Sequence, residues 1–283
     1  SPAATGRDSP SYHVRMPPFD WNFAALCVSA FFAGVMNSVA GGGTLLTFPA
    51  LFAVFGPLGP QQAASFANGT STVALMPGSI AGAFGYRKEL WECRQFVLRM
   101  ILPSLVGGYV GATLVGLDKE SFAALVPWLI LTAALLFVVQ APLSKWVKRR
   151  AAAEGANPDH HEPNWVTQSL VIGFQFLVAV YGGYFGAGIG ILMLSALGFM
   201  GVGDIHRMNA VKTILASAIN AAAAVVFVRD GLVDWAYALP MAAAAIAGGY
   251  AGARVARRLP ASYVRYAVIA IGFGLSAYYF IRY

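Results

Sequence analysis

Residues 211–227 are VKTILASAINAAAAVVF, an apolar run with one charged side chain, Lys212, near its start. Its counterpart in the first half of the chain is ANGTSTVALMPGSIAGAFGY at 67–86, where Asn68 takes the place of the lysine. A glycine-interrupted segment precedes each copy, AGGGTLLTFPAL at 40–51 and GAGIGILMLSAL at 186–197. We expect these four pieces to meet in the middle of a membrane and to form an anion-binding site.

The composition predicts an all-α protein that crosses a membrane several times. Of the 283 residues, 58% are hydrophobic and 11% are charged, whereas a soluble domain carries about 25% charged residues. The charged residues cluster, and the apolar runs between the clusters are long enough to cross about 30 Å of hydrocarbon. The basic residues lie mainly in short loops, so the net charge of +7 indicates membrane topology rather than nucleic-acid binding.

An internal duplication organises the chain. GGYVGA at 107–112 recurs as GGYAGA at 248–253, at the same place in the order of elements. Each half is predicted to contain a glycine-broken helical element, either re-entrant or two short crossings, followed by three full transmembrane helices. Because three is odd, the two repeats should be inverted relative to each other. The predicted segments are a polar extracytoplasmic tail at 1–20, repeats at 21–144 and 165–283, and a linker at 145–164.

The predicted orientation follows from the basic residues. With inverted halves, most of the 19 Lys and Arg residues fall on the side of the linker, which should therefore be cytoplasmic. Both termini are then outside, in the inner membrane of a bacterial-type cell. The tail at 1–20 has no apolar segment and is not expected to be a signal peptide. The predicted turns are 87–94 and 201–207, and the predicted full spans are 63–86, 96–117, 122–143, 209–228, 235–253 and 262–281.

The glycine breaks are candidate anion-binding elements. Broken helices at matching positions of two repeats are typical of secondary transporters, whose sites lie near the midplane. A break leaves free N–H groups at a helix N-terminus, where the positive end of the helix dipole lies. Close packing of helices through small residues is the alternative interpretation. The glycines concerned are Gly41, Gly42, Gly43, Gly186, Gly188 and Gly190.

Lys212 has two interpretations. At full depth a lysine in an apolar span costs roughly 2.5–3.5 kcal/mol, and its place near the predicted turn would allow it to snorkel to the membrane surface. Alternatively, it faces the interior of the bundle and pairs with a substrate anion. No acidic residue lies near it in the same spans, which favours a ligand as its counter-ion.

Polar side chains around the lysine and its counterpart complete the candidate site. Asn209 and Thr213 lie at helical spacings from Lys212, whereas Ser217 and Asn220 are expected to bond between helices. Asn37 and Ser38 precede the glycine run and could cap the helix that follows. Arg207 and His206 are candidate gating residues on the cytoplasmic side. The first half offers the uncharged donors Asn68, Thr70, Ser71 and Thr72.

Enzymatic chemistry has no visible constellation. The sequence contains no phosphate-binding loop, nucleophile elbow or metalloprotease motif. The adjacent His160 and His161 have no further ligands nearby for a metal ion, and Cys27 and Cys93 are too far apart in the predicted topology to work together. We therefore expect no catalytic residues, metal or cofactor.

The assembled segments resemble the sulfite exporter TauE/SafE family of membrane permeases. The segments that carry the resemblance are AGVMNSVAGGGTLLTFPAL at 33–51, AASFANGTSTV at 63–73, GGYFGAGIGILMLSAL at 182–197 and MNAVKTILAS at 208–217, together with the twin GGYxGA motifs. The resemblance implies a permease for sulfur-containing anions such as sulfite or organosulfonates, usually exporting them. An anion channel, or uptake of another small oxyanion coupled to a cation, remains the alternative.

Overall fold

A computed structural model describes residues 21–39, 41–154, 165–199, 205–255 and 261–282. α-Helices make up almost all of these ranges. No β-strand occurs within these ranges. A short 3-10 turn, Gly56–Leu58, separates the second and third helices. The helices are α1 (Trp21–Val39), α2 (Thr44–Phe55), α3 (Pro60–Phe84), α4 (Arg87–Glu92), α5 (Arg94–Leu117), α6 (Lys119–Glu154), α7 (Trp165–Tyr184), α8 (Ile189–Phe199), α9 (Ile205–Arg229), α10 (Trp235–Val255) and α11 (Ala261–Arg282).

Several helices have the length and composition of membrane spans. Within the described ranges, four qualify: Trp21–Ser38, Arg94–Leu117, Lys119–Val139 and Arg207–Arg229. Large apolar side chains on the outer surface, such as Leu98, Leu102 and Leu170, are two-thirds exposed or more. Water would make such a surface unfavourable, whereas lipid tails solvate it. The prediction of an all-α, multi-pass membrane protein is confirmed.

Each glycine-broken element consists of a long helix followed by a short one. α2 has 12 residues and α8 has 11, which correspond to about 18 Å and about 16 Å at the helical rise. Neither reaches the roughly 30 Å of a hydrocarbon core. α2 packs back on α1. The approach is close at the start of α2, where a Cβ on Gly43 would lie 2.5 Å from the carbonyl oxygen of Ala33. The second helix of each pair is therefore too short to cross the membrane by itself.

Three segments that were predicted to lie outside the long helices are partly helical. Residues 87–92 form helix α4 rather than a loop. α6 continues to Glu154, so the first part of the expected linker 145–164 is helical, because lysine, arginine and alanine there are strong helix formers. α9 begins at Ile205, so the end of the expected turn 201–207 is helical as well. The tail 1–20 and the remainder of the linker, with His160 and His161, lie outside the described residues.

The twin GGYxGA motifs pack helices of opposite halves against each other. On α10, a Cβ at Gly248 would overlap the carbonyl oxygen of Phe31, and one at Gly252 would lie 2.7 Å from the Cα of Val35 on α1. The residue numbers of the contacts increase together on both helices, from Gly248 with Phe31 to Gly252 with Val35. α1 and α10 therefore run parallel. Only glycine permits so close an approach of two backbones.

The first-half copy of the motif makes the equivalent contact. On α5, a Cβ at Gly107 would lie 2.7 Å from the carbonyl oxygen of Phe176, and one at Gly111 would overlap that of Val180 on α7. α5 and α7 therefore also run parallel. α3 and α9 lie between these two pairs and contact each other: α3 also packs on α10, and α9 on α5. This arrangement places the helices of Asn68 and Lys212 at the centre of the bundle.

Candidate anion-binding site

A small cavity lies where the two glycine breaks meet α9. Its volume is about 20 Å³, which is enough for roughly one water molecule. Both halves of the chain contribute to it. The residues that line it are Asn37, Gly41, Gly42, Thr44, Ser79, Gly186, Ile189, Gly190, Lys212, Thr213, Ala216 and Asn220.

Lys212 is the charged group of this cavity. Its side chain is only 1% exposed, and it is the one charged residue among the buried residues that the structure describes. Its Nζ donates a hydrogen bond to Asn209 Oδ1 at 3.1 Å. A lysine that snorkels keeps its ammonium group at the surface, so the burial of Lys212 rules out that interpretation. The lysine faces the interior of the bundle.

The first break presents the N-terminus of α2 to the cavity. Gly41 and Gly42 have positive φ angles of 80° and 92°, which side chains with a Cβ rarely adopt. Asn37 holds the turn: its Oδ1 accepts the N–H of Gly43 at 2.7 Å, and its Nδ2 donates to Ser79 Oγ at 3.3 Å. α2 then begins at Thr44, which lines the cavity, whereas the next N–H groups, those of Leu45 and Leu46, donate to the carbonyl oxygens of Gly42 and Gly43.

The second break presents the N-terminus of α8 in the same way. Gly186 and Gly188 have positive φ angles of 80° and 81°. Tyr181 stabilises this turn, because its carbonyl oxygen accepts the N–H groups of Phe185 and Gly186 and its hydroxyl donates to the carbonyl oxygen of Ala187 at 2.8 Å. α8 begins at Ile189, so its first turn borders the cavity.

The electrostatics of the cavity favour an anion. Two helix N-termini carry partial positive charge, and Lys212 lines the same cavity. None of the described residues that line the cavity is acidic. Free backbone N–H groups at a helix N-terminus are a recurrent binding site for oxyanions. The arrangement can therefore hold a small anion by hydrogen bonds from several directions and by one full charge.

Part of the predicted site lies at this cavity. Lys212, Thr213, Asn37, Gly41, Gly42, Gly186 and Gly190 line it. Asn209 contacts Lys212 without lining the cavity. Gly43 packs against Ala33, and Gly188 against Leu136 of α6, so these two glycines shape the breaks instead.

The polar residues predicted on α3 lie elsewhere. Asn68 Nδ2 donates to the carbonyl oxygen of Tyr184 at 2.9 Å, and Thr70 Oγ1 accepts the N–H of Asp234 at 3.0 Å. Ser71 exchanges a hydrogen bond with Thr47 of α2. None of the three lines the Lys212 cavity. Their face of α3 is turned toward α2, the end of α7 and the start of α10.

Sequence reasoning missed Thr44 and Ser79 and placed Asn220 between helices. Thr44 is the first residue after the glycine run, and Ser79 lies three helical turns after Asn68 on α3, so spacing alone could have suggested both. Ser38 differs from its expected role as a cap, because its Oγ donates to Gly249 on α10 at 3.0 Å. It joins α1 to α10 instead.

The candidate gating residues stand at the start of α9. Arg207 forms an ion pair with Glu92 of α4, with 2.8 Å between Nη2 and Oε2, and the two side chains are 48% and 52% exposed. This pair connects the helix that carries Lys212 to the first half of the chain. His206 lies beside Arg207 in α9, but its side chain is outside the described part of the structure.

Comparison with known proteins agrees with the fold. The profile described as “Sulfite exporter TauE/SafE” matches residues 26–279. A probable membrane transporter protein, ORF9, of Sinorhizobium is 28% identical over 258 residues, which cover 89% of this chain and 90% of the relative. A probable membrane transporter protein of Haemophilus influenzae is 24% identical over 259 residues, covering 90% and 92%.

A third relative is also a probable membrane transporter protein. The probable membrane transporter protein YfcA of Escherichia coli K12 is 25% identical over 232 residues, which cover 81% of this chain and 77% of the relative. No solved structure matches the chain. Because the family profile covers nearly the whole sequence, the chain belongs to the TauE/SafE family and is a multi-pass membrane transporter, not an enzyme.

Proposed function

We propose that the protein is a secondary transporter for small sulfur oxyanions, such as sulfite or organosulfonates, and that it exports them. The observation that carries this proposal is the burial of Lys212 in a cavity that the first residues of α2 and α8 also line. The ammonium group and the two helix N-termini are all positive, so together they attract an anion. The family description, which names sulfite exporters, supports sulfur as the central atom of that anion.

The arrangement of donors suits a pyramidal headgroup. The donors belong to three different helices, namely α2, α8 and α9 with Lys212. They can therefore reach oxygens of the anion that point in different directions. A sulfite or sulfonate group has three such oxygens, whereas a planar carboxylate has two. Thr44, Ser79 and Thr213 add hydroxyl groups at the same cavity. The headgroup would thus be recognised without contacts to an organic tail.

The small volume of the cavity supports a carrier. Space for about one water molecule is less than a sulfur oxyanion needs, so the breaks must move apart before the anion enters. A site that opens only by rearrangement is expected for alternating access and not for an open anion channel. An inside-negative potential favours exit of an anion by about 2.3 kcal/mol per charge per 100 mV.

We also infer that the two halves are inverted repeats. α1 runs parallel to α10, and α5 runs parallel to α7. In both pairs the first helix of one repeat, α1 or α7, packs on the helix of the other repeat that carries the GGYxGA motif. The pairing supports an axis of pseudo-symmetry in the membrane plane. Both termini would then lie outside the cell and the linker inside, with the protein in the inner membrane of a bacterial-type cell.

The Glu92–Arg207 pair is proposed as a gate on the cytoplasmic side. It bridges α4 and the first turn of α9, five residues before Lys212. Breaking it would free the start of α9 to move away from the first half. An exposed ion pair contributes only about 0–1 kcal/mol, which suits an element that must open and close often.

A binding screen tests the proposed function directly. Purified protein in detergent is titrated with sulfite, thiosulfate, sulfoacetate, taurine, sulfate and acetate, and its melting temperature is recorded. We expect sulfite or a sulfonate to raise the melting temperature of the wild type and of Lys119→Ala, which removes an exposed lysine. Lys212→Ala and the longer Lys212→Met should fold but show at least about tenfold weaker binding, equivalent to 1.4 kcal/mol.

Unchanged anion affinity in a folded Lys212 variant would show that the anion does not bind at Lys212.

Flux measurements in proteoliposomes distinguish a carrier from a channel. A carrier should show saturable sulfite efflux that is accelerated by sulfite on the opposite side. Ohmic currents without such acceleration would support the channel instead.

A further inference from the structure

Asn68 carries the one buried side-chain oxygen without a partner in the described part of the molecule. Its side chain is 1% exposed, and Oδ1 has no hydrogen-bond donor within reach. The orientation of the amide is set by Nδ2, which donates to the carbonyl oxygen of Tyr184 at 2.9 Å. Reversing the amide would bring two acceptor oxygens together. A buried polar atom that stays unpaired points to a bound species.

Asn68 lies next to the C-terminal end of α7. α7 ends at Tyr184; the carbonyl oxygen of Tyr181 accepts the N–H groups of Phe185 and Gly186, and the C-terminal end of the helix carries partial negative charge. Ser71 follows Asn68 by one turn on the same face of α3, and its hydroxyl pairs with that of Thr47. Phe48 of α2 packs edge-to-face against Phe185, with 5.2 Å between ring centroids. This contact keeps α2 next to the end of α7.

The charge of these groups indicates a cation of low valence. Asn68, Ser71, Thr47 and the carbonyl groups of α7 supply only neutral oxygens. Calcium and magnesium sites use carboxylates as well, and the described residues contain no cluster of three His, Cys, Asp or Glu. Neutral carbonyl oxygens at the C-terminal end of a half-helix coordinate Na⁺ in transporters with broken helices.

We propose that Asn68 Oδ1 and the carbonyl end of α7 form a binding site for a monovalent alkali cation, with Na⁺ as the probe. This site is separate from the anion cavity but shares the second glycine break with it. Tyr184 ends α7 on the Asn68 side, and Gly186, two residues later, lines the Lys212 cavity. The break thus presents carbonyl groups to a cation and the N–H groups of α8 to an anion.

The shared break predicts coupling between the two ions. Lys212 is the buried charge that would repel the cation, and an anion bound at Lys212 would offset this repulsion. Cation and anion should therefore raise each other's affinity by the same factor. This coupling rests on the proposed anion site, whereas the cation site itself does not.

The experiment measures melting temperature in the absence of any sulfur anion. NaCl is exchanged stepwise for KCl or choline chloride at constant ionic strength. Binding to the folded state alone raises the melting temperature in a saturable manner. We expect one alkali cation to do so in the wild type and in Ser65→Ala, and at a lower concentration in Lys212→Ala, which lacks the charge that repels the cation. Ser65 is buried on the same helix, and its hydroxyl donates to Gln61 of the preceding turn. Asn68→Ala should lose the effect.

A second variant decides the matter if Asn68→Ala does not fold. Asn68→Asp places a carboxylate against the carbonyl oxygen of Tyr184, so its folded state should depend on the cation more steeply than the wild type. Equal melting temperatures in all three salts would mean that Oδ1 binds an ordered water only, and a cation effect that survives in Asn68→Ala would also overturn the proposal. Loss of sulfite binding with retained cation binding would instead count against the anion site alone.

Discussion

At the scale of single residues, Lys212 and Asn37 determine the charge and shape of the candidate anion site. Lys212 supplies the full charge and is almost completely buried, and because the N-termini of α2 and α8 add partial positive charge, the site attracts an anion. Asn37 contributes through its side-chain oxygen, which binds the N–H of Gly43 at 2.7 Å. One residue therefore attracts the anion, and the other holds the backbone that receives it.

Asn37 offers a matched pair of variants. Asn37→Ala leaves the N–H of Gly43 without its acceptor and should destabilise the protein by about 1–3 kcal/mol. Asn37→Asp keeps an acceptor for this N–H but adds negative charge to the cavity, so it should fold and lose anion binding. Melting curves with and without sulfite measure both effects. Sulfite binding of wild-type strength in Asn37→Asp would show that the anion does not enter this cavity.

At the scale of helices, the GGYxGA motifs join elements that are far apart in the sequence. Gly248 approaches Phe31, and Gly107 approaches Phe176, with no room for a side chain between the backbones. Such close contacts replace the hydrophobic effect, which cannot drive the association of helices within lipid. The repeat that reveals the duplication in the sequence is therefore also the repeat that holds the two halves together.

Glycine substitutions separate this packing role from helix propensity. Gly248→Ala would force a methyl group onto the carbonyl oxygen of Phe31 and should cost about 1–3 kcal/mol or prevent folding. Gly173→Ala on α7 is the control, because no atom lies within 4 Å of the added Cβ. It should be neutral or stabilise the helix by up to about 1 kcal/mol. Equal melting temperatures for the two variants would contradict the packing role.

The Glu92–Arg207 pair is best tested through access to the cavity. In a protein without Cys27 and Cys93, Ala216→Cys places a thiol at the cavity lining. Glu92→Gln should increase the rate at which a charged thiol reagent modifies this cysteine, while the melting temperature changes little, since the pair is half exposed. Exchanging the two charges should restore slow labelling. Labelling rates that do not respond to either change would exclude this pair as a gate.

At the scale of the whole molecule, two long helix pairs enclose α3 and α9. α1 packs with α10 and α5 with α7, the two helices of each pair run parallel, and the breaks after α1 and α7 both line the central cavity. The same arrangement brings a helix N-terminus from each half to one cavity. The proposed inversion thus accounts for the site as well as for the duplication.

The inversion predicts where the chain's end and its linker lie. A reporter enzyme that folds only outside the cytoplasm should be active when fused after Tyr283 and inactive when inserted at residue 158. Inverted halves require these two points to be on opposite sides, since each repeat contributes an odd number of full crossings. Activity at both positions, with the protein still inserted in the membrane, would be incompatible with the proposed topology.

Properties that depend on local composition could be predicted from the sequence. The class of protein, the order of the helices, the glycine breaks and the unusual place of Lys212 in an apolar run all follow from apolar runs, backbone freedom at glycine and the cost of a charge in lipid. The ends of the apolar runs misplaced the helix ends at Glu154 and Ile205, because helix propensity continues past the apolar run; Gly155 after the first and Asp204 before the second are the local boundary signals.

The sequence by itself thus determined that a polytopic membrane protein would carry a lysine beside two glycine breaks. Only the tertiary structure decided which polar side chains share the cavity with that lysine. Asn68, Thr70 and Ser71 have partners elsewhere, whereas Thr44 and Ser79 line it. The physical reason is that Ser79 lies on about the same face of α3 as Asn68 but three turns further along, so the level at which α3 meets the glycine breaks decides which side chain lines the cavity. Contacts with the other half, such as Gly78 against Ala245 of α10, set that level. Contacts of this kind are not encoded in any local pattern.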